Sequence, residues 1–354
     1  MDTTTFRILD TISAGLGKSF SINQLTAKIK ERHGTAHYAN IYKKLHDLER
    51  QQILDLNKIG KSSIVRLNFQ NYLLIDLLTE MEIKKKLKFL QEKTDLQMLL
   101  QEMYRYLSKM YCIKSICSVN PEKNIKLNRL ELLFLLKTSK KESLTQDEIT
   151  KILIGLQKLQ NKHNLRIDCL LLEEYEFSYL LESDEINPLK EILSDKTAFF
   201  CPQAFWDEIR EIMDKGIEIR TKERETKPAE ITEVDLIYNL ARFGYKEFGS
   251  RIRRGQEFCI EYIVTALLMQ NDARRIEAIP IILAKHNAHS SLLLFLAQKY
   301  RLSGRLLGLL KILEETKPMK EIKKTIKLLE ALNVEEIKAD EENILQKMRL
   351  YNAA

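Results

Sequence analysis

A multidomain α+β protein is predicted by three changes of hydrophobic period along this chain of 354 residues. Residues 6 to 69 set short helical runs before a hairpin pattern. From Cys112 to Met213, β-like runs alternate with helical ones, and beyond Thr232 every apolar run keeps helical spacing. A chain of this length is expected to form about two to three domains, and with 44% hydrophobic residues each can build a core. The divisions that follow are 1–70, a helical connector 71–94, a small α/β domain 95–221, an all-helical bundle 229–317 and an amphipathic helical tail 318–354.

In the first division Phe6, Ile8, Leu9, Ile12 and Leu16 keep helical spacing, and Gly15 and Gly17 end the run. Ser21 stands three residues before Gln24, the spacing of a capping box, and opens a second helix with Leu25 and Ile29 on its apolar side and Gly34 at its end. A third run turns Ile41, Leu45, Leu48 and Ile53 inward and leaves Tyr38, Asn40, Lys43, Lys44, Asp47 and Arg50 outward. The stretch ILDLNKIGKSSIVRLNF then alternates as two strands, Ile53 to Lys58 and Ser63 to Phe69, around a turn at Gly60. Between Ser21 and Gln70 nine Lys or Arg stand against four Asp or Glu, an excess of five in a chain whose net charge is +7. Such a concentration of one sign suits a polyanionic partner.

This order of elements resembles the winged helix-turn-helix regulators of archaea and bacteria, especially those whose third helix ends in a segment like DLERQQIL before the wing. The resemblance implies double-stranded DNA as the partner, with the third helix in the major groove and the wing on phosphate or in the minor groove. The residues it points to are Tyr38, Asn40, Lys43, Lys44 and Arg50 of the helix and Lys58, Lys61 and Arg66 of the wing. Winged helices also serve as protein-docking modules without DNA contact.

Tyr72 to Glu92 reads as a connector helix with Leu74, Leu77, Leu78 and Met81 on one side. Thr94 is then expected to cap a second, with Leu96, Leu99, Leu100, Met103, Leu107 and Met110 in a stripe. The same stripe would serve as a dimer seam. Strands are expected at Tyr111 to Val119, Leu130 to Lys137, from Leu165 in LRIDCLLLE and from Thr197 in TAFFC. Between them lie a helix opened by a Thr145–Glu148 capping box and running to His163, and another over Pro202 to Met213 that carries the single tryptophan, Trp206.

By element order and a few positions this stretch resembles a minimal nucleotidyltransferase domain. The family's first strand leads to a Gly-Ser turn for triphosphate, its second opens on Asp-x-Asp, and a later strand gives a third carboxylate; together the carboxylates hold Mg²⁺ against phosphate. Here the turn is Cys117-Ser118 and the Asp-x-Asp position is Arg129-Leu130-Glu131, with Asp168 at the third. The glycine and the first aspartate are missing, and Arg129 sets a cation where a metal ligand belongs. The expectation is a degenerate domain without catalytic residues, kept for sensing or assembly; Ser118, Glu131 and Asp168 are what remains of a nucleotide or metal site.

The polar stretch TKERETK before Pro228 reads as a linker. Thr232 is expected to cap a helix through Tyr245, a second should run from Gln256 to Met269, and ARRIEAIPIILAK, SLLLFLAQKYRL and RLLGLLKILEE supply three more. Phe248 with Arg251, Arg253 and Arg254 forms a second basic cluster. Beyond Pro318 a charged amphipathic helix or helix pair, with Met319, Ile322, Ile326 and Leu329 as its stripe, offers another homodimer seam.

No apolar run reaches the roughly 18 to 20 residues that cross a bilayer, and MDTTTFRILD lacks the features of a signal peptide, so a cytoplasmic location without membrane partners is expected. The five cysteines form no CxxC pair, His33, His37 and His46 belong to the first division, and His286 and His289 flank a helix break without thiolate or carboxylate neighbours, so neither a metal nor another cofactor is expected. The reading is a DNA-binding transcriptional regulator. The alternatives are a nucleotidyltransferase enzyme, which would need Glu131 and Asp168 to meet a third carboxylate, and a toxin–antitoxin component or protein adaptor.

Overall fold

A computed structural model describes the whole chain except residues 61, 111, 138–145, 218, 220–225, 247–253, 271 and 354. The described chain is mixed α+β. It begins with α1 (Thr3–Ala14), β1 (Phe20–Ser21), α2 (Ile22–His33), α3 (Tyr38–Arg50), β2 (Leu54–Ile59) and β3 (Ser62–Leu67). Next come α4 (Tyr72–Leu90), α5 (Thr94–Leu107), β4 (Ile113–Val119), α6 (Pro121–Lys126), β5 (Arg129–Leu136), α7 (Gln146–His163) and β6 (Arg166–Glu173). Then α8 (Glu174–Glu182), α9 (Pro188–Ile192), β7 (Lys196–Phe200) and α10 (Pro202–Asp214) lead to a helical series. That series is α11 (Glu233–Arg242), α12 (Ile260–Gln270), α13 (Ala273–Ile276), α14 (Ala278–Lys285), α15 (Ser290–Lys299), α16 (Ser303–Thr316), α17 (Lys320–Ala331) and α18 (Glu341–Leu350).

Two compact units result. The first comprises Met1–Thr138, Leu172–Ser183 and Leu189–Glu225; the second comprises Ser139–Leu171, Asp184–Pro188 and Thr226–Ala354.

In the first unit, α1, α2 and α3 close over a small antiparallel sheet of order β1-β3-β2. Ile8, Leu9, Leu25, Ile29, Leu45, Ile53 and Val65 are its buried centre, as the helical and alternating patterns predict. The capping box forms as read: Gln24 N–H donates to Ser21 Oγ at 3.3 Å, and Ser21 N–H to Gln24 Oε1 at 2.9 Å. The hairpin is one residue out of the expected frame, pairing Leu54 with Leu67 and Ile59 with Ser62, and Gly60 takes the positive φ of 59° that its turn requires.

The same unit holds α4 and α5 and an antiparallel set in which β4 pairs with both β5 and β7. Thr94 is not the cap of α5 but its first helical residue. Lys93 holds the cap position without a side-chain hydrogen bond, and Asp95 supplies the first-turn charge instead.

In the second unit Thr232 caps α11 as expected, accepting from Asp235 N–H at 3.2 Å. The next helix starts at Ile260, four residues later than Gln256. Side chains of α11 take the backbone groups that would have begun it: Asn239 donates to Gln256 O at 2.8 Å and accepts from Phe258 N–H at 3.0 Å, while Gln256 N–H goes to Asp235 Oδ1. The tail is a helix pair, and Ile337 N–H bonds Gly304 O at 3.0 Å as the segment between α17 and α18 crosses α16. Tyr111, Thr145, most of the TKERETK stretch, and Phe248, Arg251 and Arg253 lie outside the described residues. No described helix is long and apolar enough to cross a membrane.

Candidate nucleic-acid interface

The sequence of α3 divides it into two faces. Ile41, Leu45 and Leu48 are buried, while Tyr38, Asn40, Tyr42 and Lys43 are exposed on the other side. His37, before the first turn, makes no side-chain cap, so no side chain satisfies the first N–H groups of α3 at that position.

The basic residues singled out by sequence separate into two kinds. Lys43 and Lys58 are exposed, and neither side chain is held by a hydrogen bond or ion pair to another described residue. Lys44 is half-buried and spans to Asp2 Oδ2 at 2.8 Å. Asp2 is the cap of α1, accepting Thr5 N–H at 2.9 Å. Although burial alone raises the Asp2 carboxyl, Lys44 and Thr5 hold it well below the usual carboxylate range. Lys44 therefore locks α3 to α1. Arg50 is paired with Asp47 one turn back, and Arg66 on β3 donates to Ser19 Oγ at 3.1 Å. Lys61 lies outside the described residues. Ile59, beside Lys58 at the tip of β2, is 65% exposed.

One feature of α3 escaped the sequence reading. Tyr38, Tyr42 and His46 form a ladder of rings, the first two stacked with centroids 5.9 Å apart and the second edge-on to the third at 4.5 Å. Their spacing of four residues was the available signal. His46 is further fixed by Glu49, 2.9 Å from its Nδ1.

Beneath the block lies a buried ionic network. Asp10 of α1 meets Arg32 Nε at 2.6 Å, His33 Nε2 at 3.3 Å and Lys85 Nζ of α4 at 3.3 Å. Glu82, one turn before Lys85 and fully buried, accepts from Lys196 Nζ at 3.2 Å and from Ala198 N–H at 2.9 Å on β7. Burial raises the Asp10 carboxyl, but Lys85, His33 and Arg32 outweigh it and hold it far below the ordinary range. For Glu82, burial is likewise outweighed by Lys196, Lys85 and the Ala198 N–H. None of this network was visible in the chain's local patterns.

The positions at which a nucleotide site was expected, Ser118, Glu131 and Asp168, are engaged or enclosed by the chain itself. Glu131 pairs with Arg129, two residues earlier on the same face of β5. Asn124 donates to Val119 O at 2.7 Å and accepts from Arg129 Nη2 at 2.9 Å, closing the turn after Ser118. Ser118 is buried, its neighbour on β5 is Leu132, and its Oγ has no hydrogen-bond partner. Asp168, in the second unit, repeats the β5 arrangement: Arg166 chelates it through Nε and Nη2 at 3.1 and 3.0 Å. Each of these two carboxylates is thus neutralised by an arginine on its own strand, which does not suit either to hold Mg²⁺. Burial pushes the neighbouring Cys117 thiol up to about 12, as in an inert core cysteine. Among the described residues no group of three or more His, Cys, Asp or Glu could hold a metal.

No protein-family model, curated protein or solved structure matches this chain.

Proposed function

We propose that the first unit binds double-stranded DNA as a winged helix, with α3 in the major groove and the β2–β3 hairpin on the backbone or in the minor groove. The chain then acts as a transcriptional regulator. The observation that carries this reading is the pair Lys43 and Lys58, exposed cations on the two elements such a domain presents, with no partner among the described residues to neutralise them. The uncapped first turn of α3 adds backbone N–H groups that suit a phosphate oxygen. The Arg129–Glu131 and Arg166–Asp168 pairs favour a nucleotidyltransferase-like domain kept for sensing or assembly rather than for transfer of a nucleotide.

Fluorescence anisotropy with a duplex probe tests it. The log of affinity should fall with the log of salt at a slope of about −0.9 per phosphate neutralised. Lys43→Ala should make that slope shallower by about one, whereas Lys327→Ala, an exposed lysine of α17, should leave it unchanged. Equal binding by the wild type and Lys43→Ala at low salt overturns the assignment.

A further inference from the structure

We infer that α3 selects A·T base pairs, an inference that rests on the DNA-binding reading and names the sequence class it would take. Recognition helices meet base edges with their N-terminal residues. Besides Lys43, the exposed ones on the first turns of α3 are Tyr38, Ala39, Asn40 and Tyr42.

Each favours the same base pair. Adenine presents an acceptor, N7, beside a donor, the N6 amino group. A carboxamide matches both at once, and the exposed Asn40 side chain carries no internal hydrogen bond. Thymine differs from the other pyrimidine by its methyl group, which an alanine methyl or an aromatic ring can cover, and Ala39 flanks Asn40 in sequence. The ring ladder of Tyr38, Tyr42 and His46 holds those rings in place before any base arrives, so little side-chain freedom is lost on contact.

Arginine and carboxylates, which would favour G·C, are absent from these turns. Guanine offers two acceptors and calls for the fork of an arginine, but the nearest arginine of α3, Arg50, lies at its last turn and is bound to Asp47. Cytosine's amino group calls for a carboxylate, and α3 has none before Asp47. Lys43 is a compact point charge suited to phosphate. The hairpin agrees, because runs of A·T pairs narrow the minor groove and deepen its negative potential, which draws a cation such as Lys58.

The test begins with selection of the full chain on a randomised duplex library, followed by titration of the enriched core. An A·T core should emerge. Replacing Asn40 by alanine should weaken that core about 5- to 100-fold, replacing its contacted thymine by uracil about fourfold, and both should leave the salt slope unchanged. Asn40→Ala sits on an exposed helical face, where alanine favours the helix, so the variant folds. A G·C core, or an A·T core that Asn40→Ala binds as tightly as the wild type, overturns selection by α3 while leaving DNA binding intact. Retention of no duplex at low salt overturns the DNA reading beneath it.

Discussion

Glu82 shows how much a single buried side chain can decide. It is enclosed with Lys196 and Lys85, and removing its charge leaves a buried ammonium without its partner. Breaking a buried pair from one side costs about 3–5 kcal/mol, a large part of the stability of an ordinary domain, so Glu82→Ala should lower the free energy of unfolding by that amount and bring the midpoint of urea unfolding down in proportion. A midpoint within experimental error of the wild type would show the pair to be idle. Asp10 sets an acid limit. Its folded-state carboxyl is depressed, so its contribution is full above the unfolded value of about 4 and is lost progressively as pH falls below it. Thermal melting of the wild type should therefore decline steeply below about pH 4, and Asp10→Asn should start lower but decline less over that range. Parallel profiles would contradict the linkage. Neither residue could be singled out by sequence: Asp10 read as one polar position on an amphipathic helix, its partners Arg32 and Lys85 are remote in the chain, and Lys196, the partner of Glu82, is more remote still. Lys43 and Lys44 were indistinguishable for the same reason, since only Asp2, folded back beside α3, separates a free cation from a structural one.

Local pattern was a good guide at the level of elements. The three helices and the hairpin of the first block, the strands of the central sheet and the helices of the second unit fall within a few residues of where periodicity and capping place them. The late start of α12 shows what pattern misses, because the chain before Ile260 is held by side chains of α11, which no local signal encodes. A second long-range constraint falls on α16. A Cβ at Gly304 would lie 2.5 Å from Glu335 O, and one at Gly308 would collide with the carbonyl oxygen of Ile337. Alanine normally improves a helix interior by about 1 kcal/mol over glycine; here the obstacle is backbone, so strain of about 1–3 kcal/mol should reverse the sign. Gly308→Ala should melt below the wild type, and a higher melting temperature would show that the crossing segment yields freely.

For the whole molecule, most residues of the two stripes that read as dimer seams are buried in the single chain. Leu96, Leu99, Leu100, Met103 and Leu107 are buried in the first, and Ile322, Ile326 and Leu329 in the second, with Met319 half-covered. Apolar spacing reports that a face is covered, not by what. Ending the chain before Pro318 should accordingly lower the melting temperature and uncover apolar surface of α15 and α16, without changing the number of chains per particle in the folded fraction. Light scattering with a thermal melt decides it: a dimer that becomes a monomer at unchanged melting temperature would restore the tail as the seam.

The ionic network beneath α1 also imposes an order on synthesis. Asp10 and Arg32 leave the ribosome early, Lys85 follows after some fifty residues, and Lys196 only after more than a hundred further residues. The nascent block can close its own small core from the first seventy residues, but Glu82 waits for β7 to bring Lys196 and the Ala198 N–H. The junction that fixes the first block to α4 and β7 is therefore completed late, after most of the first unit has been made.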